Sequence, residues 1–193
     1  MSERSTRPSG FYTGTGDRGD TGRLRGETRV SKSSVLIEAV GAVDEATSAI
    51  GLARAGCRSQ ELRDTLVTVQ AHLYRVLSHL SAAPAARGQY PGLSPDDVAW
   101  LEGRIAGIED GLSPLKTFVL PGASLSGAAL HVARTVVRRA ERRVVALSEL
   151  EPDLSQPTLT YLNRLSSLLF VAAVDEDRRS GTEPDIAKAT QEA

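Results

Sequence analysis

The chain has 193 residues, 40% of them hydrophobic, which is enough to bury one core without a second domain. Lys and Arg together number 23 against 24 acidic residues, so the formal charge of -1 gives no general basic field for nucleic acid or an acidic membrane. The single cysteine excludes an internal disulfide framework and a CxxC metal site.

The N-terminal region is predicted to be non-helical. Residues 1–10 are polar, are expected to be flexible and lack the apolar core of a signal peptide. No apolar run in the chain reaches the roughly 18 residues that span a bilayer, so a cytoplasmic location is expected. Residues 11–34 hold five glycines between Thr13 and Gly26 and predict an ordered loop that can include a short extended piece.

Apolar residues recur at helical spacing in five segments between residues 35 and 176, one of them, the second, with a near-heptad pattern. Capping serines, first-turn prolines and terminal glycines mark their boundaries. The predicted helices run from Val35 to about Ala55, from Ser59 to Ala83, from Ser94 to Gly111, from Ser124 to about Leu147, and from Gln156 to near Asp175. Short links and no strand alternation predict an all-α, five-helix antiparallel bundle in a single domain, followed by a disordered tail over residues 178–193.

The fourth segment carries the most distinctive charge pattern. Arg134, Arg138 and Arg142 lie one turn apart on one face, and Glu141 is three residues after Arg138. This pattern indicates either a solvated helix face or a site for a polyanion, because guanidinium groups match phosphate oxygens. The residues predicted to face the core are Ala129, Val132, Val136, Ala140, Val144 and Leu147.

The glycine-rich loop matches nucleotide-binding motifs in residue pattern but not in structural context. Gly14 to Gly19 read GxGxxG, but no strand–helix unit surrounds them, and Asp20 stands where a Walker A loop has lysine. The loop is therefore either a flexible surface turn or a wrap around a phosphate chain without either fold. The side chains available for such a wrap are Thr13, Thr15, Thr21, Arg18 and Lys32.

The other candidate chemical groups give weaker signals. The three histidines, His72, His79 and His131, are not at metal-ligand spacing, and no GxSxG elbow is present. Asp44, in the middle of the first helix, is either solvent-facing or paired with a cation such as Arg134.

Taken together, these motifs resemble the PduO-type ATP:cob(I)alamin adenosyltransferase family. The family's ATP loop resembles YTGTGDRGDTG, its lysine element RVSK, and its first helix EAVGAVDEATSAIGLARA. The most specific block is FVLPGASLSGAALHVARTVVRRAER, and the last core helix resembles YLNRLSSLLFVAA. These blocks follow in order and cover most of residues 12–173.

The resemblance implies a homotrimer of five-helix bundles, with an active site between neighbouring subunits. It implies transfer of the 5'-deoxyadenosyl group of ATP to cob(I)alamin, with release of triphosphate and usually with Mg2+. Cobalt(I) would be the nucleophile, so the protein would align two substrates and stabilise the departing triphosphate. A cobalamin reductase or an acceptor enzyme is a further candidate partner.

The implied site residues come from three parts of the chain. Arg138, with Glu141 and Asn163, would complete an ATP pocket from the bundle. The loop residues around ATP would be Thr13, Gly14, Thr15, Gly16, Asp17, Gly19, Thr21 and Lys32.

The resemblance also implies a catalytic set beyond Arg138. Arg134 would pair with Asp44 of the adjacent subunit and shape the interface site. Phe118 would bind the corrinoid by pressing on the corrin and displacing its lower ligand, which leaves a four-coordinate cobalt. No protein side chain is implied as a metal ligand.

Three positions depart from the family pattern. Gly14 stands where the family usually has a basic residue, Ala123 replaces the second glycine of a PGG turn, and Ser167 replaces an aspartate. Loss of the loop cation should weaken triphosphate binding unless Arg18 or Arg23 compensates. Two alternatives therefore stay open: a catalytically weak relative that acts as a cobalamin or ATP escort or regulator, and a bundle with no nucleotide role.

Overall fold

The computed structural model describes residues 12–113, 119–183 and 186. Its helices are α1 (Val35–Gly56), α2 (Gln60–Ser81), α3 (Pro95–Glu109), α4 (Leu125–Ser148) and α5 (Gln156–Arg179), with a 3-10 helix at Pro84–Gln89. An antiparallel hairpin of β1 (Asp20–Gly22) and β2 (Arg29–Ser31) precedes α1. The predicted all-α bundle is confirmed, and this hairpin is the extended piece expected in the loop. Residues 1–10, Phe118 and residues 187–193 lie outside the described residues.

The helices pack side by side in the order α2, α1, α4, α5, α3, so α4 lies between α1 and α5. Leu, Val, Ile and Ala side chains form the core, and Tyr161 is fully buried among them. The near-heptad residues of α2 are all buried, as predicted: Leu62, Leu66, Val69, Leu73, Val76 and Leu80. In the part of the chain that the structure describes, no helix is long and apolar enough to cross a bilayer.

Serine N-caps mark where the helices begin. The predicted caps Ser59, Ser94 and Ser124 each accept a hydrogen bond from the backbone N–H three residues later, at 3.2, 3.3 and 2.9 Å. Asp97 completes a capping box by accepting from the Ser94 N–H at 2.7 Å. Each cap typically contributes about 1 kcal/mol, so these boundaries follow from local sequence.

The predicted core face of α4 is wrong at Val132, whereas Ala129 and Val136 are partly buried against the core. Val132 is 56% exposed, whereas Leu130, Ala133 and Val137 are fully buried. The first half of α4 is apolar on two faces, and periodicity cannot choose between them. Contact with α1 on one side and α5 on the other makes that choice.

The fifth helix continues to Arg179, four residues beyond its predicted end near Asp175. Glu176 and Asp177 near its end are fully buried although they are acidic, because both carboxylates have partners elsewhere in the fold. Glu176 accepts hydrogen bonds from the backbone N–H groups of Arg58 and Ser59 at 2.8 and 2.9 Å. Acidic residues at a helix end look solvent-exposed in sequence, so only the tertiary contacts reveal this turn.

Candidate active site

A depression of about 600 Å³ opens between α4, α5 and the end of α3. Arg134 and Arg138 of α4 line it from one helix face, because they are one turn apart. Leu112, Phe170 and Val171 form an apolar wall. The remaining lining residues are Glu109, Ser113, Ser166 and Ser167. The depression therefore places two cations beside apolar surface.

Arg134 and Arg138 carry positive charge at this depression. Among the described residues, neither Arg134 nor Arg138 forms an ion pair, whereas Arg139 on the adjoining face pairs with Glu45 of α1. Burial, and then the nearby charge of Arg138, lower the pKa of Arg134. Guanidinium groups attract anions, so an anion between these two would relieve their repulsion.

Arg138 also lines an adjoining depression that contains Glu141 and Asn163. Asn163 Nδ2 donates to Glu141 Oε1 at 2.9 Å and joins α5 to α4. Asn163 Oδ1 accepts from Arg164 Nη1 at 2.8 Å, which fixes the orientation of the amide. The structure thus brings together the three bundle residues of the predicted ATP pocket.

The glycine-rich loop is folded into tight turns before the hairpin. Gly14 and Gly19 have φ values of +71° and +80°, where residues with a side chain are strained. Lys32 Nζ donates to the Gly16 carbonyl at 2.7 Å, and a β-carbon at Gly16 would lie 3.0 Å from that ammonium. The loop side chains that remain exposed include Thr13, Thr15, Asp17 and Arg18.

Arg23 anchors the hairpin to the bundle, and its guanidinium group contacts other parts of the protein. Its Nη1 lies 2.9 Å from Glu151 Oε1, and its Nη2 donates to the Ala82 carbonyl at 2.8 Å. Arg87 binds the same Glu151 carboxylate from the other side. Because these contacts occupy the Arg23 guanidinium, Arg18 is the remaining candidate to replace the cation missing at Gly14.

The loop and the Arg138 depressions lie on different sides of α4. Lys32 lines a groove between α1 and α4 together with Arg139 and Arg143, and both arginines pair with glutamates of α1. Asp44 is exposed on α1, and among the described residues no ion pair or hydrogen bond joins it to Arg134. Within one chain the predicted site is therefore divided into two parts.

Phe170 is a site residue that the sequence interpretation missed. Asn163, Ser167 and Phe170 follow at four and three residues and share one face of α5. This spacing is the signal that could have found Phe170, because it extends a polar face with an aromatic side chain. The ring of His131 lies behind Phe170, with the ring centroids 5.9 Å apart.

Two of the departures from the family pattern are accommodated by the local structure. Gly122 has a φ of +129°, but Arg25 is the only described non-glycine residue with a positive φ, so Ala123 needs no glycine. Ser167 is exposed and lines the larger depression, where an aspartate would place a carboxylate beside the arginines. The serine leaves this depression more positive.

The fold and these depressions define an all-α bundle protein with two arginines beside an apolar wall. The family model for cobalamin adenosyltransferase matches residues 11–176, and the chain belongs to this family. The resemblance carried by the sequence motifs is confirmed.

Relatives and solved structures agree with this assignment. A corrinoid adenosyltransferase of Bacillus subtilis (strain 168) is 42% identical over 175 residues, which cover 89% of this chain and 88% of that protein. A corrinoid adenosyltransferase PduO of Citrobacter freundii is 38% identical over 170 residues, which cover 86% of this chain and 50% of that protein. One similar solved structure is a variant of the PduO-type ATP:corrinoid adenosyltransferase of Lactobacillus reuteri complexed with cobalamin and ATP. The alignment covers 93% of this chain and 99% of that chain, with a TM-score of 0.85 and 30% sequence identity.

Proposed function

We propose that this protein transfers the 5'-deoxyadenosyl group of ATP to cob(I)alamin, which forms adenosylcobalamin and releases triphosphate. The observation that carries the proposal is the pair Arg134 and Arg138 beside the apolar wall of Phe170 in one depression. A triphosphate needs fixed cations, and a corrin ring needs an apolar surface. The names of the similar proteins agree with this activity.

The reaction places its main electrostatic demand on the leaving group. Cobalt(I) of the corrinoid substrate attacks the ribose 5' carbon of ATP, so a cobalt–carbon bond forms as the carbon–oxygen bond breaks. The triphosphate leaves with the electron pair, and negative charge grows on its oxygen. Arg138 lines both depressions and can meet that charge, with Arg134 as the second cation.

The nucleotide would lie along the depression of Arg138, Glu141 and Asn163. The Glu141–Asn163 hydrogen bond presents a carboxylate oxygen and an amide next to the cation, which suits ribose hydroxyls and phosphate oxygens. The hydroxyls of Thr13 and Thr15, which are exposed and lie 2.9 Å apart in the loop, suit the phosphate chain. Phe118 lies outside the described residues, so its role at the corrin stays a prediction.

The complete site would form between copies of the chain in a homotrimer. This assembly is supported by the separation of the Lys32 loop from Arg138 within one chain and by the exposure of Asp44, which Arg134 of a neighbour can pair with. It is also supported by exposed apolar side chains on α4, with Leu125 at 87% and Val132 at 56% exposure.

Co-expression of two inactive variants tests this arrangement. Lys32→Ala removes the loop half and Arg138→Ala the bundle half, so each alone should be inactive. Every mixed trimer should have one of its three inter-subunit sites with two intact halves, so about a quarter of all sites in a random assortment should regain activity. Absence of any recovery in proven mixed trimers would contradict a shared site.

Mg2+ would bind together with ATP, and not in a site built only from protein side chains. Among the described residues no group of three or more potential metal-binding side chains is present. Mg2+ commonly keeps water and phosphate ligands with one or two carboxylates, and the exposed Asp17 and the Glu141 carboxylate fit that limited role. The bound ion would neutralise part of the triphosphate charge. A cytoplasmic location and a reductase or acceptor partner stay predictions.

The deciding experiment combines the protein with ATP, Mg2+ and chemically reduced cobalamin and follows the absorbance change to the adenosyl form. Turnover supports the transferase. Binding of ATP or cobalamin without turnover would instead indicate the escort or regulator that the Gly14 and Ser167 departures leave open. Absence of thermal stabilisation by ATP would indicate a bundle without a nucleotide role.

A further inference from the structure

His131 lies directly behind the larger depression. It is only 3% exposed, its Nδ1 accepts a hydrogen bond from Arg134 Nε at 3.4 Å, and its ring packs edge-on against Phe170. One buried imidazole therefore contacts both the cation and the aromatic wall of the depression. Arg134 lies one turn after His131 on α4, and Phe170 lies on α5.

The hydrogen bond with Arg134 restricts the protonation of the imidazole. The Arg134 Nε–H is a donor, so His131 Nδ1 must be unprotonated to accept from it. A neutral imidazole then carries its proton on Nε2. Burial and the charge of Arg134 lower the pKa of His131 and outweigh the opposite effect of Asp177, which favours this neutral form.

Among the residues that the structure describes, one buried polar atom of His131 and one of Asp177 have no hydrogen-bond partner. His131 Nε2 and Asp177 Oδ2 are both buried and lack a hydrogen bond, and Asp177 is close enough for its charge to raise the pKa of His131. The Asp177 carboxylate is held in place because its Oδ1 accepts from Ser124 Oγ at 2.6 Å. A donor on Nε2 and an acceptor on Oδ2 are complementary, directly or through one bridging water.

We propose that His131 is the positioning residue for Arg134: as a neutral imidazole with its proton on Nε2, oriented by the buried Asp177 carboxylate, it holds the Arg134 guanidinium toward the depression. In this arrangement Ser124 holds Asp177, Asp177 orients His131, and His131 holds Arg134. The arrangement links the N-terminus of α4 and the last turn of α5 to the cation of the site. His131 does not touch substrate in this arrangement.

The tautomer can be tested on the unmodified protein by nitrogen NMR of 15N-histidine-labelled enzyme at neutral pH. The chain has three histidines, and the signal that disappears in His131→Asn is the signal of His131. The proposal requires the tautomer with hydrogen on Nε2. A proton on Nδ1, or a doubly protonated ring, would overturn it. This measurement does not depend on any activity.

The positioning role rests on the proposed function and is tested by kinetics with ATP and cob(I)alamin. His131→Phe keeps a ring but removes the acceptor, and His131→Asn keeps an acceptor near the place of Nδ1. We expect kcat to fall about 10- to 100-fold in His131→Phe, with partial recovery in His131→Asn. The thermal midpoint of both variants verifies that they are folded.

Arg134→Ala separates failure of this inference from failure of the proposed function. If Arg134→Ala leaves turnover unchanged, the proposed role of Arg134 is wrong. If Arg134→Ala lowers turnover while folded His131→Phe equals wild type, only the positioning role is wrong. The inference also requires that His131→Phe has little further effect in the Arg134→Ala background, because its effect acts through that arginine.

Discussion

Gly127 of α4 lies against the carboxylate of Asp177 of α5: a β-carbon at Gly127 would be 2.0 Å from Asp177 Oδ1. The carboxylate, which is fully buried, occupies the space that any other side chain at this position would need. Glycine is thus required here for close approach of two helices, although its backbone is helical. The contact joins the start of α4 to the last turn of α5.

Gly127→Ala is expected to destabilise the protein by about 1–3 kcal/mol or more, because overpacking displaces a buried carboxylate from its Ser124 partner. Equilibrium denaturation measures the loss. Gly103→Ala is the matched control, since Gly103 lies exposed in α3 with no heavy atom within 4 Å of the added carbon. That change should be neutral or stabilising by up to about 1 kcal/mol. Equal losses in both variants would contradict the steric explanation.

Arg138→Ala is expected to lower kcat about 10²- to 10³-fold, as for removal of one fixed donor to a developing oxyanion. The fold should survive because Arg138 is exposed and contributes little to the core. Arg139→Ala is the control on the same helix, because Arg139 faces Glu45 of α1 and not the depression. Similar kinetics for the two variants would argue against a specific triphosphate role for Arg138.

Phe170→Ala is expected to raise KM for the corrinoid more than KM for ATP. The side chain forms part of the apolar wall of the larger depression, whereas Glu141 and Asn163 line the adjoining one. Phe170→Leu keeps apolar surface and should lie between alanine and wild type. Initial rates with each substrate varied in turn measure both constants. An increase confined to KM for ATP would reverse our assignment of the two depressions.

Glu151→Gln is expected to destabilise the protein at pH 7 and to do so less as the pH falls. Burial alone would raise the pKa of Glu151, but hydrogen bonds from Arg23 and Arg87 hold it below its ordinary value of 4.5. A carboxylate with a depressed pKa stabilises the fold above pH 4.5, and this contribution is lost as the pH falls through the folded-state pKa.

Thermal midpoints of wild type and Glu151→Gln between pH 7 and pH 3 test this linkage. The two curves should converge on the acid side of pH 4.5, where the wild-type carboxylate becomes protonated. Curves that stay parallel would show that the charge of Glu151 does not hold Arg23 and Arg87. Because Arg23 anchors the hairpin, the variant should also expose residues of the loop to faster hydrogen exchange.

The family and the principal bundle residues of the site were accessible from the sequence. Ser59, Ser94 and Ser124 mark helix starts through a bond to a backbone N–H three residues away, so no distant contact is needed. Arg138 and Glu141 share a face because they are three residues apart on one helix. Asn163 required the motif resemblance, since it lies on another helix.

The contacts between segments that are distant in sequence could not be predicted from local patterns. Val132 and Val137 are equally apolar in sequence, and only packing between α1 and α5 exposes the first and buries the second. Arg23 was a candidate phosphate ligand until Glu151, far along the chain, proved to hold it. Local sequence patterns were enough to define five helices and three of their serine caps, because capping and periodicity act within a few residues. Which faces, charges and buried acids meet depends on non-local packing, which local patterns do not encode.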